Sequence, residues 1–421
     1  MAALRVSGTV RVPGDKSISH RALILGALAD GDSRIRGILD SEDVRSTAAV
    51  LRTLGAEIPA IAEAMVVNGV GLRGLRPPAR SLQCGNSGTT TRLMAGVAAA
   101  HTFTSRFEGD ASLSRRPMKR IAEPLSYMGA RLEFEKGDGL PMTVHGGDLR
   151  SIDWDTRAAS AQVKSAILLA GLVSGVEVRV TEKTRSRDHT ERMLRAMGVD
   201  VENDGNQVCL RPRRHLNAID LQVPADPSSA AFFVALGSLA ASGDLTLTDV
   251  CLNPTRSGFF DVMKEMGAGI EAASVTTRGG EEVGTLRVGP SALQSMTISE
   301  RDVPALIDEL PLLACVAAAA GVALEVRGAG ELRVKESDRI ATVVANLRAV
   351  GADAHELPDG LRVTPGNRDL SGTVDPRGDH RIAMAFAVLS AATGNRIVVR
   401  NPECVAVSYP HFWEDLQRVT A

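Results

Sequence analysis

One unit of about 70 residues is repeated six times along this chain, and that repetition limits the folds open to it. Each copy begins with an apolar stretch that has a polar or charged start and a body of small residues. The six are "SHRALILGALADG", "GTTTRLMAGVAAAH", "SAQVKSAILLAGLVSG", "SSAAFFVALGSLAASG", "DELPLLACVAAAAG" and "DHRIAMAFAVLSAATG". Such segments read as helices apolar all round, hence buried, most of them ending on glycine. A short strand-like run follows each one, from "SRIRGI" to "RIVVR". A second, amphipathic helix comes next, with Val44, Ala48, Leu51 and Leu54 at helical spacing in the first copy. Five copies of it close on a phrase of the type "LRTLGAEI", and the phrase glycines are Gly55, Gly129, Gly198, Gly267 and Gly351. A period this long implies repeated supersecondary units rather than a short-repeat solenoid.

The sixth copy stops after its second helix, while the chain opens with two strand-like runs, "ALRVSG" and "TVRVPG". Residues 1–14 are therefore expected to complete the sixth unit. With 421 residues the chain is too long for one ordinary core. The expected division is a lobe at 15–224 and a second at 225–421, completed by strands from 1–14. A helix N-terminus presents free N–H groups and partial positive charge. Three buried helices per lobe would turn six such ends toward an anion-binding cleft.

Composition narrows the ligands. A net charge of −2 and 3% aromatic residues leave no basic footprint or stacking surface for nucleic acid. Five cysteines without a CxxC pair argue against a disulfide framework or a zinc site. The longest apolar run, 310–324, holds Pro311 and Gly321 and is too short to span a bilayer. A cytoplasmic location follows.

Ser228 and Ser229 read as simple capping residues. Lys16, Gln162, Lys164, Asp308, His380 and Arg381, at or near the other helix starts, exceed what capping requires and are expected to line the cleft. "PGDKSISHR" adds Ser17 and Arg21, and "CGNSGTTTRL" offers Gly88 and Thr89 at a helix start. "SRRPMKR" crowds Arg115, Arg116, Lys119 and Arg120, and the pair before Pro117 suits a bidentate anion clamp. "RVKESDRI" brings Lys335, Glu336 and Arg339. Many cations with few acids, chiefly Asp308 and Glu336, suit substrates with several phosphate and carboxylate charges and two acid/base steps. No HExxH and no GxGxxG after a strand is present, so neither a metal nor a cofactor is expected.

With "VPGDKSISHR", "GNSGTTTRL", "SLSRRPM", "SAQVKSA", "ELRVKESDR" and "GDHRIAM" present in order, the sequence resembles the 5-enolpyruvylshikimate-3-phosphate (EPSP) synthase family from about residue 5 to its end. The resemblance implies an α/β fold: a two-lobed inside-out α/β barrel, the enolpyruvyl transferase fold, with three βαβαββ units per lobe and buried parallel helices. It implies transfer of the enolpyruvyl group of phosphoenolpyruvate to the 5-hydroxyl of shikimate 3-phosphate, releasing phosphate through a tetrahedral ketal. By position, Lys16, Ser17, Arg21, Ser160, Ala161, Gln162, Ser186, Asp308 and Lys335 would hold shikimate 3-phosphate. Lys16, Gly88, Arg116, Gln162, Arg339 and Arg381 would hold phosphoenolpyruvate. Asp308 would be the base on the 5-hydroxyl, with Glu336 and Lys16 handling the proton at the methylene carbon.

Some positions depart from the family pattern. Val407 stands where many members have lysine, Leu93 replaces a proline, and Ala161 replaces a serine. These match the family's second class, as do "SAQVK", "RDHTE" and "NPTR". Partial tolerance of glyphosate, the family inhibitor, is therefore expected, with Leu93, Arg187, His189 and Val407 as altered contacts. The chain is expected to be a monomer whose lobes close on substrate. The alternatives are the sister UDP-N-acetylglucosamine enolpyruvyl transferase, which relies on a loop cysteine, and a non-catalytic anion-binding clamp.

Overall fold

All six apolar stretches are helices buried along nearly their whole length in a computed structural model, which describes residues 4–156, 159–366 and 368–420. The chain opens with β1 (Arg5–Val10) and runs through a first unit of α1 (Lys16–Leu28), β2 (Asp32–Arg36), α2 (Glu42–Thr53) and β3 (Ala64–Asn68). The second unit is β4 (Leu82–Gln83), α3 (Gly88–Ala99), β5 (Thr104–Glu108), α4 (Lys119–Met128), β6 (Arg131–Phe134) and β7 (Met142–His145). The third is β8 (Ile152–Thr156), α5 (Ala161–Ser174), β9 (Val178–Glu182), α6 (His189–Ala196), β10 (Val201–Asp204) and β11 (Gln207–Leu210). β12 (Asp220–Gln222) precedes a fourth of α7 (Pro227–Leu239), β13 (Ser242–Cys251), α8 (Gly258–Glu265), β14 (Ile270–Arg278) and β15 (Glu281–Val288). The fifth is β16 (Met296–Ile298), α9 (Val303–Leu306), α10 (Leu310–Ala320), β17 (Leu324–Val326), α11 (Arg339–Ala349), β18 (Ala354–Leu357) and β19 (Gly360–Val363). The sixth is β20 (Gly372–Val374), α12 (His380–Ala392), β21 (Ile397–Val399) and α13 (Phe412–Val419).

The second, third and fifth units share one βαβαββ plan. Their strands lie in the orders β4-β5-β7-β6, β8-β9-β11-β10 and β16-β17-β19-β18, with the first pair parallel and the rest antiparallel. The first and fourth units exchange their leading strands. β1 precedes α1 in the chain yet pairs parallel with β13, while β12 precedes α7 yet pairs parallel with β2. This corrects the expectation for residues 1–14. Among the described residues they hold one strand, Arg5–Val10, rather than two, and it joins the fourth unit's sheet instead of extending the sixth. Its links to the sixth unit include a bridge between Val6 and Thr420 and a hydrogen bond from Arg418 to the Thr9 carbonyl.

By contacts the described residues form two units, Gly14–Val223 with Thr277–Glu281 in one, and the rest in the other. In the first, α3 and α5 approach so closely that a Cβ on Gly96 would strike the backbone of Ala166. Only glycine permits that approach. The phrase glycines also have a backbone reason. Gly55, Gly129, Gly198, Gly267 and Gly351 all adopt positive φ just after their helices, which a side chain would strain. Five core helices are capped by Asp15, Ser87, Ser160, Asp226 and Asp379, each accepting from a first-turn N–H. Capping fixes where each helix starts and the apolar body fixes its depth. Truncating Leu168 in α5 to alanine would cost about 2–5 kcal/mol.

Candidate active site

In the N-terminal lobe the polar starts of α1, α3 and α5 are joined by hydrogen bonds. Lys16 Nζ lies 3.1 Å from Asp43 Oδ2. His20 Nδ1 lies 2.7 Å from Thr47 Oγ1, which lies 2.7 Å from Thr90 Oγ1, so α1, α2 and α3 are tied at one end. Burial pushes the His20 imidazole down to about 3, so this histidine is neutral. Arg21 is buried. It donates to Thr190 Oγ1 (2.7 Å), Ser165 Oγ (2.7 Å) and the Ser17 carbonyl (2.9 Å). Burial lowers its pKa to about 10, far enough above neutrality to keep its charge.

Around the start of α3, Gln162 is held from both sides. Its Nε2 donates to Thr89 Oγ1 at 3.0 Å and its Oε1 accepts from Arg92 at 2.5 Å. Arg116 donates to Asn86 Oδ1 at 2.6 Å. A Cβ on Gly88 would sit 2.9 Å from Arg92 Nη1 and 3.5 Å from Arg116 Nη1, so the glycine borders both guanidinium groups.

The C-terminal lobe gathers a second cluster, built on Arg339. This buried side chain donates to Asp379 Oδ2 (2.8 Å), Asp308 Oδ1 (3.0 Å) and Glu336 Oε2 (2.7 Å). Lys335 Nζ is 3.4 Å from Asp308 Oδ1, and Arg381 is 3.8 Å from Asp308 Oδ2 and 3.4 Å from Glu309 Oε1. Burial works against the Arg339 charge, but Asp379, Glu336 and Asp308 outweigh it and raise the pKa. The two carboxylates that the sequence singled out share one guanidinium, a geometry that orients both.

Most sequence-selected residues thus fall into two clusters: Lys16, Ser17, Arg21, Gly88, Arg116 and Gln162 in one lobe, and Asp308, Lys335, Glu336, Arg339 and Arg381 in the other. Ser160 is the N-cap of α5, Ala161 its first residue, and Ser186 lies in the loop before α6. Three expectations need correction. Lys164 does not line an open cleft; it is buried, 2.7 Å from Glu182 and 2.8 Å from Glu191. An ammonium on an apolar helix is tolerable only with such partners. Arg115 is exposed while its neighbour Arg116 turns to Asn86, so the pair makes no clamp. Leu93 and His189, expected as altered contacts, are instead packed wholly inside the fold, the latter 2.7 Å from Glu281. Sequence reasoning missed Arg92, Asp43 and Asp379. Arg92 was legible, standing one helical turn after Gly88, and Asp379 was visible as a cap.

Cys84, the cysteine nearest this site in sequence, is buried, and its thiol is pushed up to about 12 by desolvation, which suits no nucleophile. Among the described residues no helix is long and apolar enough to cross a membrane, and no three His, Cys, Asp or Glu side chains gather as metal ligands.

A fold of repeated βαβαββ units with cationic helix starts and an acid pair is that of the enolpyruvyl transferases. Residues 2–416 match the family model described as EPSP synthase (3-phosphoshikimate 1-carboxyvinyltransferase). A 3-phosphoshikimate 1-carboxyvinyltransferase of Sulfurihydrogenibium sp. is 46% identical over 99% of this chain and 98% of its own. That of Gloeobacter violaceus is 48% identical over 99% and 97%. The solved EPSP synthase of Acinetobacter baumannii superposes with a TM-score of 0.87 at 40% identity, covering 99% of this chain and 96% of that one. The chain belongs to the EPSP synthase family. Neither the sister transferase nor a non-catalytic clamp is favoured by these relationships.

Proposed function

We propose that the chain transfers the carboxyvinyl group of phosphoenolpyruvate to the 5-hydroxyl of shikimate 3-phosphate, releasing inorganic phosphate. The observation that carries the chemistry is the sharing of Arg339 by Asp308 and Glu336. Two oriented carboxylates are what an addition and an elimination need. Asp308 takes the hydroxyl proton as that oxygen bonds to C2 of phosphoenolpyruvate. Glu336, with Lys16, delivers a proton to the methylene carbon, giving a tetrahedral ketal. Glu336, left as a carboxylate, then takes back a methyl proton as phosphate leaves, which restores the double bond. No cofactor enters this sequence.

Lys16, Ser17, Arg21, Ser160, Ala161, Gln162, Ser186, Asp308 and Lys335 are assigned to shikimate 3-phosphate. Lys16, Gly88, Arg116, Gln162, Arg339 and Arg381 are assigned to phosphoenolpyruvate, where glyphosate would compete. Arg92, fixed on Gln162, joins this second set. The enzyme would act as a cytoplasmic monomer. Phosphate release is the test, measured with shikimate 3-phosphate, with UDP-N-acetylglucosamine and without acceptor. Release only with the first is expected; release with the second, or none at all, overturns the reading.

A further inference from the structure

The buried lysine that corrected the sequence reading suggests a use beyond the roles assigned above. Lys164, Glu182 and Glu191 are each almost completely buried, and the two carboxylates share one ammonium. Burial opposes the charge on Lys164, yet Glu191 and Glu182 raise its pKa above the ordinary value, so it stays charged. The pair it forms with Glu182 reaches one further residue. Ser186 donates its backbone N–H to Glu182 Oε2 at 3.2 Å and its hydroxyl to Glu182 Oε1, while its carbonyl accepts from Lys164 Nζ at 3.4 Å. Every polar group of Ser186 is therefore held by the same ion pair.

The pair is also linked to Arg21. Ser165, next to Lys164, and Thr190, next to Glu191, are 2.7 Å apart and both accept from Arg21. Two residues assigned to the acceptor substrate thus rest on one buried charged cluster spanning α1, α5, β9 and α6.

We propose that Glu182 and Lys164 are positioning residues for the phosphate of the acceptor substrate, acting through Ser186 without touching the ligand. This rests on the reading that Ser186 contacts shikimate 3-phosphate. Glu182 keeps the Ser186 N–H and hydroxyl side by side on one face of the loop. Lys164 offsets the charge of Glu182, and with Arg21 that of Glu191, so that no net negative charge is left to repel an incoming phosphate dianion. A hydroxyl that leaves Glu182 for the phosphate exchanges one charged acceptor for another, at little net cost. Untethered, the loop would have to be ordered at the moment of binding, and affinity would fall.

The test is a double-mutant cycle of Ser186→Ala and Glu182→Ala, read as KM for each substrate and kcat, with folding checked by thermal melting. Ser186→Ala should raise KM for shikimate 3-phosphate about tenfold, the usual scale for one hydrogen bond to a charged group. Glu182→Ala should do the same, leaving kcat and KM for phosphoenolpyruvate within about twofold, and the double variant should be no worse than Ser186→Ala. If Glu182→Ala does not fold, Glu182→Gln keeps the volume and one acceptor, and should raise KM about threefold with the same lack of additivity. Additive effects, a fall in KM on losing the carboxylate, or an unchanged KM beside a raised one in Ser186→Ala would each overturn the proposal. No effect of Ser186→Ala itself would instead overturn the underlying assignment of Ser186, and the proposal with it.

Discussion

The two lobes hold the arginines of their candidate site residues differently. In the N-terminal lobe Arg21 donates to two hydroxyls and a carbonyl, Arg92 to a carboxamide and Arg116 to an asparagine. In the C-terminal lobe Arg339 donates to three carboxylates and Arg381 lies 3.4 Å from a fourth. Their titration diverges accordingly. Burial drags Arg21 down to about 10, whereas Asp379, Glu336 and Asp308 more than offset burial and raise Arg339. A guanidinium that donates to hydroxyls and amides is positioned by neutral acceptors; one that donates to several carboxylates also orients those carboxylates. With the proposed roles, proton transfer belongs mainly to the C-terminal lobe, whose Arg339 and Arg381 share anion capture with the N-terminal lobe.

The sharpest way to break that division is to neutralise the acids. Asp308→Asn and Glu336→Gln should each lower turnover by about 10²–10⁴-fold, the range for a positioned acid or base. Both substitutions are nearly isosteric, so melting curves should show a folded protein. Near-normal phosphate release by Glu336→Gln would reduce the C-terminal cluster to a structural ion network. The matching substitution in the other lobe is Arg116→Ala. It should raise KM for phosphoenolpyruvate by about 10–100-fold with kcat changed far less, as expected for a charge-assisted contact that is only half-buried. A collapse of kcat at unchanged KM would place chemistry where the comparison puts binding.

The contrast was only partly legible in the sequence. The six buried helices, the strands after them and the cationic helix starts all follow from apolar pattern, caps and punctuation, which act over a few residues. Lys16, Gln162 and Arg381 could be selected because their side chains exceed what a cap needs. Their partners could not. Glu182 closes a strand, Glu191 sits within α6, and Asp43 lies one helix away from Lys16, so only tertiary pairing reveals them. That is why Lys164, chemically the same signal as Lys16, was misread: a lysine at a helix start says nothing of whether carboxylates wait behind it. The exchange of β1 and β12 was hidden for a similar reason. Each strand precedes the core helix of one unit yet pairs parallel with a strand of the other, β1 with β13 and β12 with β2, and local pattern does not name such a partner.

A subtler probe concerns the hydrogen-bonded ends of α1, α2 and α3. His20 is held neutral, its pKa pushed from 6.5 to about 3 by burial. In the unfolded chain it would bind a proton below about pH 6.5. This contribution to stability is therefore complete above that value and is lost as pH falls from about 6.5 toward 3, at up to about 1.4 kcal/mol per pH unit. His20→Asn should be less stable at pH 7.5, and the difference from the native chain should shrink with acidification. Denaturant unfolding of both proteins between pH 7.5 and 4.5 checks this. A difference that stays constant with pH would mean that His20 titrates in the fold as it does in the unfolded chain, so that the N-terminal site gains a charge below about pH 6.5.

The smallest expected effect is at Gly88, where one methyl group would meet the two guanidinium groups that define the anion side. A Cβ there stands 2.9 Å from Arg92 Nη1 and 3.5 Å from Arg116 Nη1, so Arg92 must give way by a few tenths of an ångström. Both are ends of flexible side chains, and Arg92 is additionally fixed to Gln162, so the displacement passes to the carboxamide as well. Gly88→Ala should raise KM for phosphoenolpyruvate only a few-fold, on the scale of one imperfect hydrogen bond. Glyphosate is longer than phosphoenolpyruvate and should lose more, so its inhibition constant should rise by a larger factor than KM does. Competitive inhibition measured on both proteins gives the two ratios directly. Equal ratios would mean that the methyl weakens the guanidinium pair without narrowing the space beside it. No change in either would remove Gly88 from the ligand's surroundings and leave the N-terminal anion site to Arg116 and Gln162.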